Sequence, residues 1–569
     1  MVRATFAGFG TALSALQANQ KRLDITGQNL SNMNTVGYTR QQLQTSSLNY
    51  TASLSHYANN PTMSVGFGVR MDAVTQIRDP YLDVQYRGQI GKSGYNDAFQ
   101  TSLDSLSKFL DETSISGIRQ AFDDIQSTLT NMQDPAKVND PVYETELRSR
   151  MEALTNLLNS TSQQITKAEK DEFNRLDGTG TNENGAVQKV NDLLRQIGDL
   201  NRSIKKNQIV GQPALELMDE RNRLLDELAS YVPIEVTYFK DAEHDGKALD
   251  ANGKQDQVKG DKELYDYDSR GNVIGKKQWP DDLKVELVYK DKNGASQRLT
   301  LVNGTEGNGT ANYGQLSISK GDVNTPTDAE ISFTPAASAV AGGAPQAVKF
   351  SSSEAQMGSG SIQASLDMLG RDGTNGSIRG YQFYMNQLDS LAKTFAEKMN
   401  GINNANLPNG QKNQNLLINK ATSTNNNGTI TENVTGITAA NIGISLNWAK
   451  GTTHVSTSGT SATDTVLDLL QSMSQAHTEL GNKSFVDFMN NTSTLLANDS
   501  SSNQTSLLTN TTVLNGIQNS RDSISGVSMD EEASNMMTYI SAYNAASRLM
   551  TTLDQALDTL INNTGVVGR

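Results

Sequence analysis

Apolar residues near the amino terminus recur at alternating steps of three and four positions. A repeat of 3.5 residues predicts a helix whose apolar stripe faces a partner helix. Gln20 and Gly27 occupy two positions of the stripe, so the helix is expected to be marginal alone. Asn34–Gly37 predicts its end, because glycine adopts a positive φ at little cost. The apolar members of this N-terminal seam are Phe6, Phe9, Leu13, Leu16, Leu23 and Leu30.

The carboxyl-terminal end of the chain carries a matching pattern. Gly526 interrupts the preceding segment, and Ser528 with Glu531 forms the capping box of a new helix. The acidic residues 530–532 fall in its first turn, where the helix dipole favours negative charge. The apolar members of this C-terminal seam are Met536, Ile540, Tyr543, Met550, Leu553, Leu557 and Leu560.

Two interpretations of these seams remain open. A lone amphipathic helix usually packs on the core of its own domain. Here both ends carry the 3.5 spacing, and glycine breaks separate both from the interior, which favours pairing of the two ends with each other and with neighbouring copies. We therefore predict a terminal core domain of coiled-coil-like paired helices, with both seams forming an assembly interface.

The interior of the chain alternates between the periodicity of helices and that of strands. Between the helical segments, residues 283–302 alternate apolar and polar positions around Asn293-Gly294, a turn typical of a β-hairpin. Residues 407–465 are rich in Gly, Asn and Thr and predict a small β excursion or loops. The fold class is therefore mainly α with an inserted β domain, in an elongated multi-domain chain. Helical stripes cover 99–165, 187–231, 378–402 and 467–517.

The order helix, β, helix describes a chain that runs outward and returns. Three domains are predicted, and two of them are built from both halves of the chain. They are a terminal helical core domain of 1–60 plus 525–569, a mainly helical domain of 61–235 plus 358–524, and an inserted β domain of 236–357.

The amino-acid composition excludes several classes of function. The 569 residues include 48 Lys+Arg and 62 Asp+Glu, a net charge of −14, which argues against duplex DNA or anionic lipid as a partner. Cysteine is absent, which excludes disulfides, thiolate metal sites and cysteine nucleophiles, and only four histidines are present. A mean hydropathy of −0.51 indicates an elongated, well-hydrated protein more than a compact enzyme.

The sequence contains no complete catalytic or metal-binding motif. Asp266–Gly271 resembles the start of a calcium loop, but Arg270 and Lys277 stand where oxygen ligands belong. P-loop, HExxH and GxSxG patterns are absent. We predict no catalytic, metal or cofactor-binding residues, hence no enzyme. The chain also lacks an apolar run of membrane-spanning length and a cleavable secretory signal.

Four blocks carry a family resemblance. Residues 28–41 resemble the N-terminal signature of bacterial flagellar axial proteins, and the Gly-Tyr-Thr-Arg-Gln version is similar to the flagellar hook-associated protein 1 family. Residues 191–228 resemble that family's internal helical hairpin, and 439–442 a shorter motif. Residues 524–532 resemble its C-terminal block. The signature residues are Asn29, Gly37, Tyr38, Thr39, Arg40, Gly526, Asp530, Glu531 and Glu532.

The resemblance implies a structural protein of the bacterial flagellum, required for flagellum assembly and motility. It implies export through the flagellar type III apparatus without a cleaved signal peptide, and an extracellular ring of subunits joining hook to filament. The implied partners are copies of itself, the hook protein, the next junction protein and an export chaperone at the C-terminus, with no nucleic acid and no membrane. Two alternatives stay open: a hook or rod axial protein, or an extracellular binding module or adhesin using 236–357.

Overall fold

The computed structural model covers most of the chain. The residues that it describes are 7–48, 68–110, 117–178, 185–210, 212–240, 265–267, 273–276, 281–291, 294–304, 312–322, 325–337, 346–354, 356–374, 378–405, 407, 414–426, 429–457 and 460–562. Phe6, Asn293 and most of the rejected calcium loop lie outside these ranges.

Twelve helices and fourteen strands are found among the described residues. The helices are α1 (Ala7–Ser31), α2 (Pro80–Leu110), α3 (Ile118–Asn131), α4 (Pro141–Asp177), α5 (Ala186–Ile209), α6 (Leu215–Tyr231), α7 (Ser361–Gly370), α8 (Tyr381–Ala405), α9 (Leu446–Ala449), α10 (Asp464–Ser474), α11 (Phe485–Ser525) and α12 (Met529–Asn562). The strands are β1 (Gln41–Ser47), β2 (Val69–Gln76), β3 (Ile234–Lys240), β4 (Tyr265–Tyr267), β5 (Val273–Lys276), β6 (Asp281–Lys290), β7 (Ser296–Asn303), β8 (Gln315–Asp322), β9 (Thr325–Thr334), β10 (Val348–Ser351), β11 (Leu417–Asn419), β12 (Thr424–Asn426), β13 (Thr429–Thr431) and β14 (Ile442–Ile444).

The chain runs outward and returns, so its two ends lie together. Helix α1 packs along α12, and α2 packs along α11. Between α1 and α2, strands β1 and β2 form an antiparallel hairpin that covers one side of α1. The predicted domain boundary at residue 60 falls between these two paired strands, in residues that the structure does not describe.

The middle of the molecule has a conventional apolar core. The ring of Phe122 stacks on Phe485 with centroids 5.4 Å apart and meets Phe395 edge-on at 5.4 Å. These rings join α3, α8 and α11, and all three are fully buried. Helix α4 begins where proline predicts it, with the Asp140 carboxylate accepting from the Val142 N–H at 2.9 Å.

The inserted β region contains two three-stranded antiparallel sheets, in the orders β3-β6-β7 and β8-β9-β10. Gly294, in the predicted hairpin turn, has φ of +79°. The sheets pack mainly on α5 and α7. The predicted fold class, mainly α with an inserted β region, is confirmed.

Asparagine side chains attach the predicted β excursion to the helices. Asn400 on α8 accepts from the N–H groups of Leu416 and Leu417, at 2.8 and 2.9 Å. Asn159 on α4 donates to the carbonyls of Ala439 and Ile442. The 439–442 motif therefore has a structural role: its backbone is held by a buried amide.

The helical pattern predicted over 467–517 forms two separate helices. Helix α10 ends at Ser474, and α11 starts at Phe485, after a turn in which Asn482 has φ of +57°. The Ser484 hydroxyl then caps α11 by accepting from the Asp487 N–H at 3.2 Å. The sequence analysis did not predict strand β2 or the first half of α2.

Candidate assembly interface and the charged joint beneath it

The terminal helices form an antiparallel pair. A Cβ atom at Gly8 would lie 3.2 Å from Leu553 Cδ1, and Arg22 lies 5.6 Å from the ring centroid of Tyr539. Position 8 is thus level with position 553, and position 22 with position 539. The glycine at position 8 lets the helix backbones approach closely at this end of the pair.

The residues that this pair buries are mostly small or polar. On α12, the buried residues are Glu532 and Ala546 alone. A close-packed pair of small residues contributes less apolar burial than one of leucines. The pair is therefore weakly stabilised by its own interior. The buried residues of α1 are Ala12, Ala18, Asn19, Ile25, Thr26 and Asn29.

The predicted seams lie beside this buried face and not in its centre. Leu13 is 49% exposed, Leu560 is 58% exposed, and Ile540 and Tyr543 are also exposed. Phe6 is outside the described residues. The large apolar side chains of both seams thus remain at least partly accessible in the single chain. The half-buried members are Phe9, Leu16, Leu23, Leu30, Met536, Met550, Leu553 and Leu557.

The N-terminal signature closes a tight turn at the end of α1. The Asn29 side-chain oxygen Oδ1 accepts from the Tyr38 hydroxyl at 2.9 Å and from the Gln41 N–H at 3.0 Å, while its side-chain Nδ2 donates to the Gln41 carbonyl. Gly37 has φ of +83°, where a side chain would be strained. Burial, aided by Glu216, raises the pKa of the Tyr38 hydroxyl and keeps it neutral.

The next signature residue contacts the internal hairpin block. Asp219 on α6 accepts from the Thr39 hydroxyl at 2.6 Å and from the Thr39 N–H at 3.1 Å, with Arg78 3.7 Å away. Burial raises the pKa of Asp219 to about 6, although the hydrogen bonds from Thr39 oppose this shift. Two blocks that are 180 positions apart in the sequence are therefore in direct contact.

Arg40 holds both sides of the break between α11 and α12. Its N–H donates to the Ser525 carbonyl at 2.9 Å, and its guanidinium contacts Glu532 at 2.9 Å and Glu531 at 2.7 Å. Glu532 is buried, and removing Arg40 would leave its carboxylate without this ion pair. At Gly526, a Cβ atom would lie 2.4 Å from the Asp522 carbonyl oxygen. Asp530 is exposed and stands apart from these contacts.

A second set of ion pairs, absent from the sequence-based prediction, continues this cluster. Arg521 contacts Asp83 at 3.0 Å and Asp226 at 2.7 Å, and it lies over the Tyr86 ring. Arg87 also contacts Asp226, at 2.8 Å. A sequence signal was available, because Arg521 directly follows a long uncharged stretch. We call the whole cluster the charged joint: Arg40, Arg78, Arg87, Arg521, Asp83, Asp219, Asp226, Glu531 and Glu532.

The described residues were also searched for cavities, metal-binding clusters and membrane-spanning helices. A cavity of about 650 Å³ between α1, β1 and α12 is lined by polar groups, including the paired Arg40 and Glu532, so one end of it belongs to the joint. Among the described residues, acidic, histidine or cysteine side chains form no cluster that could hold a metal ion. In the same residues no helix is long and apolar enough to cross a membrane.

Three family models match the chain. Residues 103–417 match the helical domain of the flagellar hook-associated protein FlgK, a range whose bounds enclose 236–357. Residues 9–39 match the flagellar basal body rod protein, and 518–563 match the C-terminal region of the rod proteins FlgEFG. The terminal matches coincide with α1 and with the end of α11 plus α12.

Curated relatives agree with these matches. Flagellar hook-associated protein 1 of Bacillus subtilis is 27% identical over 99% of both chains. The protein of the same name from Salmonella typhimurium is 28% identical over 40% of this chain and 38% of its own. The structure of the flagellar hook junction protein FlgK from Burkholderia pseudomallei aligns with a TM-score of 0.37 and 18% identity, over 59% of this chain and 46% of that one.

Proposed function

Because the chain belongs to the family of the flagellar hook-associated protein FlgK, a family of structural proteins of the flagellum and not of enzymes, we propose that it joins hook to filament by self-assembly through its terminal helices. A single observation carries the proposal. The α1–α12 pair buries small and polar residues and leaves the large apolar side chains of both seams accessible. Exposed apolar surface on paired helices is typical of a protein–protein contact.

The same geometry permits the ring of subunits that the family resemblance implies. The N-terminal seam and the C-terminal seam lie on different helices, so a contact between them joins unlike surfaces of two copies. Such heterologous contacts close into rings or continue as helical arrays. The hook protein would contact one side of this ring and the next junction protein the other.

The seam contact can be tested by replacing Leu13 and Leu16 with serine. We expect a large loss of the chain from isolated hooks, with flagellin released into the medium, because both side chains are only partly covered within the chain. The control is Val142→Ser, an apolar residue on α4 that is 68% exposed. Normal filaments in the double variant would contradict self-assembly through the seams. The pair Leu553→Ser and Leu557→Ser tests α12 in the same way.

The role at the junction is tested by electron microscopy of cells that lack the gene. Hooks without filaments, with unassembled flagellin in the medium, support the junction role. Missing hooks would move the chain to the rod or hook, and normal flagella would overturn the assignment.

Export is a separate part of the proposal. The chain would leave the cell through the flagellar type III apparatus without a cleaved signal peptide, with a dedicated chaperone on its C-terminal helix. Leu549, Leu560 and Ile561 are exposed there and offer an apolar surface. In a pull-down, deletion of 530–569 should abolish chaperone binding; unchanged binding would remove this part.

A further inference from the structure

The cavity between α1, β1 and α12 extends along β1 beyond the charged joint. Its volume of about 650 Å³ lies within the range typical of ligand sites, roughly 300–1,000 Å³. Consecutive residues of the chain, 40–45, form one wall. At the joint the cavity contains the ion pair of Arg40 with Glu532. It also reaches Arg22 and Tyr539, about two turns farther along the helices, where the joint makes no contact.

The backbone of β1 has an open edge beside this cavity. Alternate residues of an antiparallel strand bond its neighbour, and the Ile77 N–H of the β2 side bonds the Arg40 carbonyl. The even-numbered residues of this half of β1 therefore bond β2, whereas Gln41 and Leu43 direct their N–H and C=O groups away from it. The Asn29 side chain bonds both groups of Gln41. No described residue bonds those of Leu43, which is next along the same edge.

This edge lacks charged side chains and proline, which normally prevent an edge strand from pairing with another chain. Strand β1, Gln41–Ser47, contains neither. A bulge after Gln44 confines the regular part of the edge to the residues that line the cavity. The edge is therefore suited to accept a further strand. By contrast, each outer strand of the two three-stranded sheets carries charge: Glu235 and Lys240 on β3, Arg298 on β7, Lys320 and Asp322 on β8, and Lys349 on β10.

Arg22 adds a positive charge that the described residues do not compensate. Its guanidinium donates to the Thr45 hydroxyl at 3.2 Å and to Asn19 Oδ1 at 3.5 Å, and both acceptors are neutral. No described carboxylate lies within ion-pair distance of Arg22, whereas the four arginines of the charged joint all have one. A guanidinium has five N–H donors, so Arg22 can still bind a carboxylate.

The acidic residues of the cavity wall are already paired with other arginines. Glu532 contacts Arg40 at 2.9 Å, and Asp72 contacts Arg70 at 2.7 Å. Apart from these two carboxylates, Arg40 and Arg22, the lining residues are uncharged. The charge of Arg22 is therefore in excess, which favours an acidic ligand over a basic one.

We propose that this cavity binds an extended acidic peptide segment of another protein, which adds to β1 as a further strand and pairs a carboxylate with Arg22. The N–H and C=O groups of Leu43 bond the backbone of the peptide, and Arg22 selects its charge. None of the seam residues lines the cavity, so the site goes beyond the proposed self-assembly and does not require it.

Three labelled peptides test the charge and the strand addition separately. The first has seven residues, with threonine and valine alternating around a central glutamate. The second has lysine in place of glutamate, and the third keeps glutamate but has N-methylated backbone amides. In fluorescence anisotropy with the full chain, we expect the first to bind about tenfold more tightly than either of the others, as one charge-assisted hydrogen bond or a lost backbone bond gives. No binding of the first peptide, or equal binding of all three, would overturn the proposal.

Variants of the chain test the role of Arg22. Arg22→Gln should weaken binding of the glutamate peptide about tenfold and abolish its advantage over the lysine peptide, whereas Arg22→Lys should keep that advantage. The matched control is Lys21→Gln, which removes a neighbouring exposed cation that does not line this cavity. Equal weakening by the two glutamine variants would show that Arg22 has no specific role and would overturn the proposal.

Hydrogen exchange in the parent chain keeps the test independent of any variant that fails to fold. Bound glutamate peptide should slow exchange in β1 about tenfold, because the edge amides become bonded, with no change in β3. Unchanged exchange in β1 at saturating peptide would rule out strand addition. If the free chain self-associates and this excludes the peptide, the edge belongs to a second copy, and the proposal is wrong.

Discussion

The terminal pair and the middle of the molecule are both helical, but they are stabilised differently. In the middle, Phe122, Phe395 and Phe485 pack in a closed apolar core. In the terminal pair, α1 and α12 bury mostly small and polar residues and are fixed to the rest of the chain by ion pairs. The middle can therefore be stable as a single copy, whereas the ends retain apolar surface that another copy can cover.

The largest expected effect comes from shortening one side chain in each region to alanine and comparing the loss of stability. Phe122→Ala should lower the free energy of unfolding by about 3 to 5 kcal/mol, because a filled and fully buried site becomes a cavity. Leu13→Ala should change it by about 0.5 kcal/mol, as expected for a half-exposed side chain. Urea unfolding of the monomer measures both. Similar losses would show that the seam is part of the core of the chain.

The joint is tested by removing its central cation. Arg40→Ala leaves the buried Glu532 carboxylate unpaired and should destabilise the terminal pair by about 3 kcal/mol. Hydrogen exchange in α12 should then accelerate by about a hundredfold, with little change in α4. Arg70→Ala, which breaks an exposed pair with Asp72, is the control and should have almost no effect. Equal acceleration in α4 and α12 would show that the two regions unfold together.

The pH dependence of the joint should follow Asp219. Its pKa is raised to about 6, so its contribution to stability is full below its ordinary pKa and is lost as the pH rises through 6. Asp219→Asn should therefore gain stability relative to the parent chain between pH 4 and 7, by up to about 3 kcal/mol.

Glu220 provides a control of opposite sign. The hydrogen bond from Arg223 lowers the pKa of Glu220, so its contribution is present above its ordinary pKa and is lost on acidification. Glu220→Gln should lose stability relative to the parent chain as the pH rises. Denaturant titrations across this range measure both, and parallel curves for Asp219→Asn and the parent chain would contradict the assignment.

The smallest effect compares the helix caps. Ser528 precedes α12, and its hydroxyl accepts from the Glu531 N–H at a long 3.5 Å, while Ser484 caps α11 at 3.2 Å and also donates to Asp487. Ser484→Ala should cost about 1 kcal/mol and Ser528→Ala less than that. Thermal unfolding monitored by circular dichroism measures the difference. The reverse order would mean that the terminal helix depends on its cap more than the middle does.

Two seams with the same spacing illustrate what the sequence could predict. The steps of three and four over 378–402 predicted α8, and its Tyr381, Leu388 and Phe395 are buried. The same steps predicted α1, where Leu13 is exposed. Periodicity identifies the residues that share a face of a helix, but it does not say what covers that face.

The ion pairs of the joint show a second limit. The capping box and the glycine break around Ser528 could be located from local sequence, and α12 begins there. The contact between Arg40 and Glu532, 492 positions apart, could not, because charge pairing depends on which segments the fold brings together. Family resemblance singled out both residues without indicating that they touch.

The sequence by itself determined the helical ends, the inserted strands and the family, since these depend on local periodicity, turn chemistry and motifs. The tertiary structure decided which side of each terminal helix is covered within the chain and that four arginines and five carboxylates converge at one joint. The physical reason is that burial and ion pairing arise between distant segments, and their outcome is set by the packing of the whole chain.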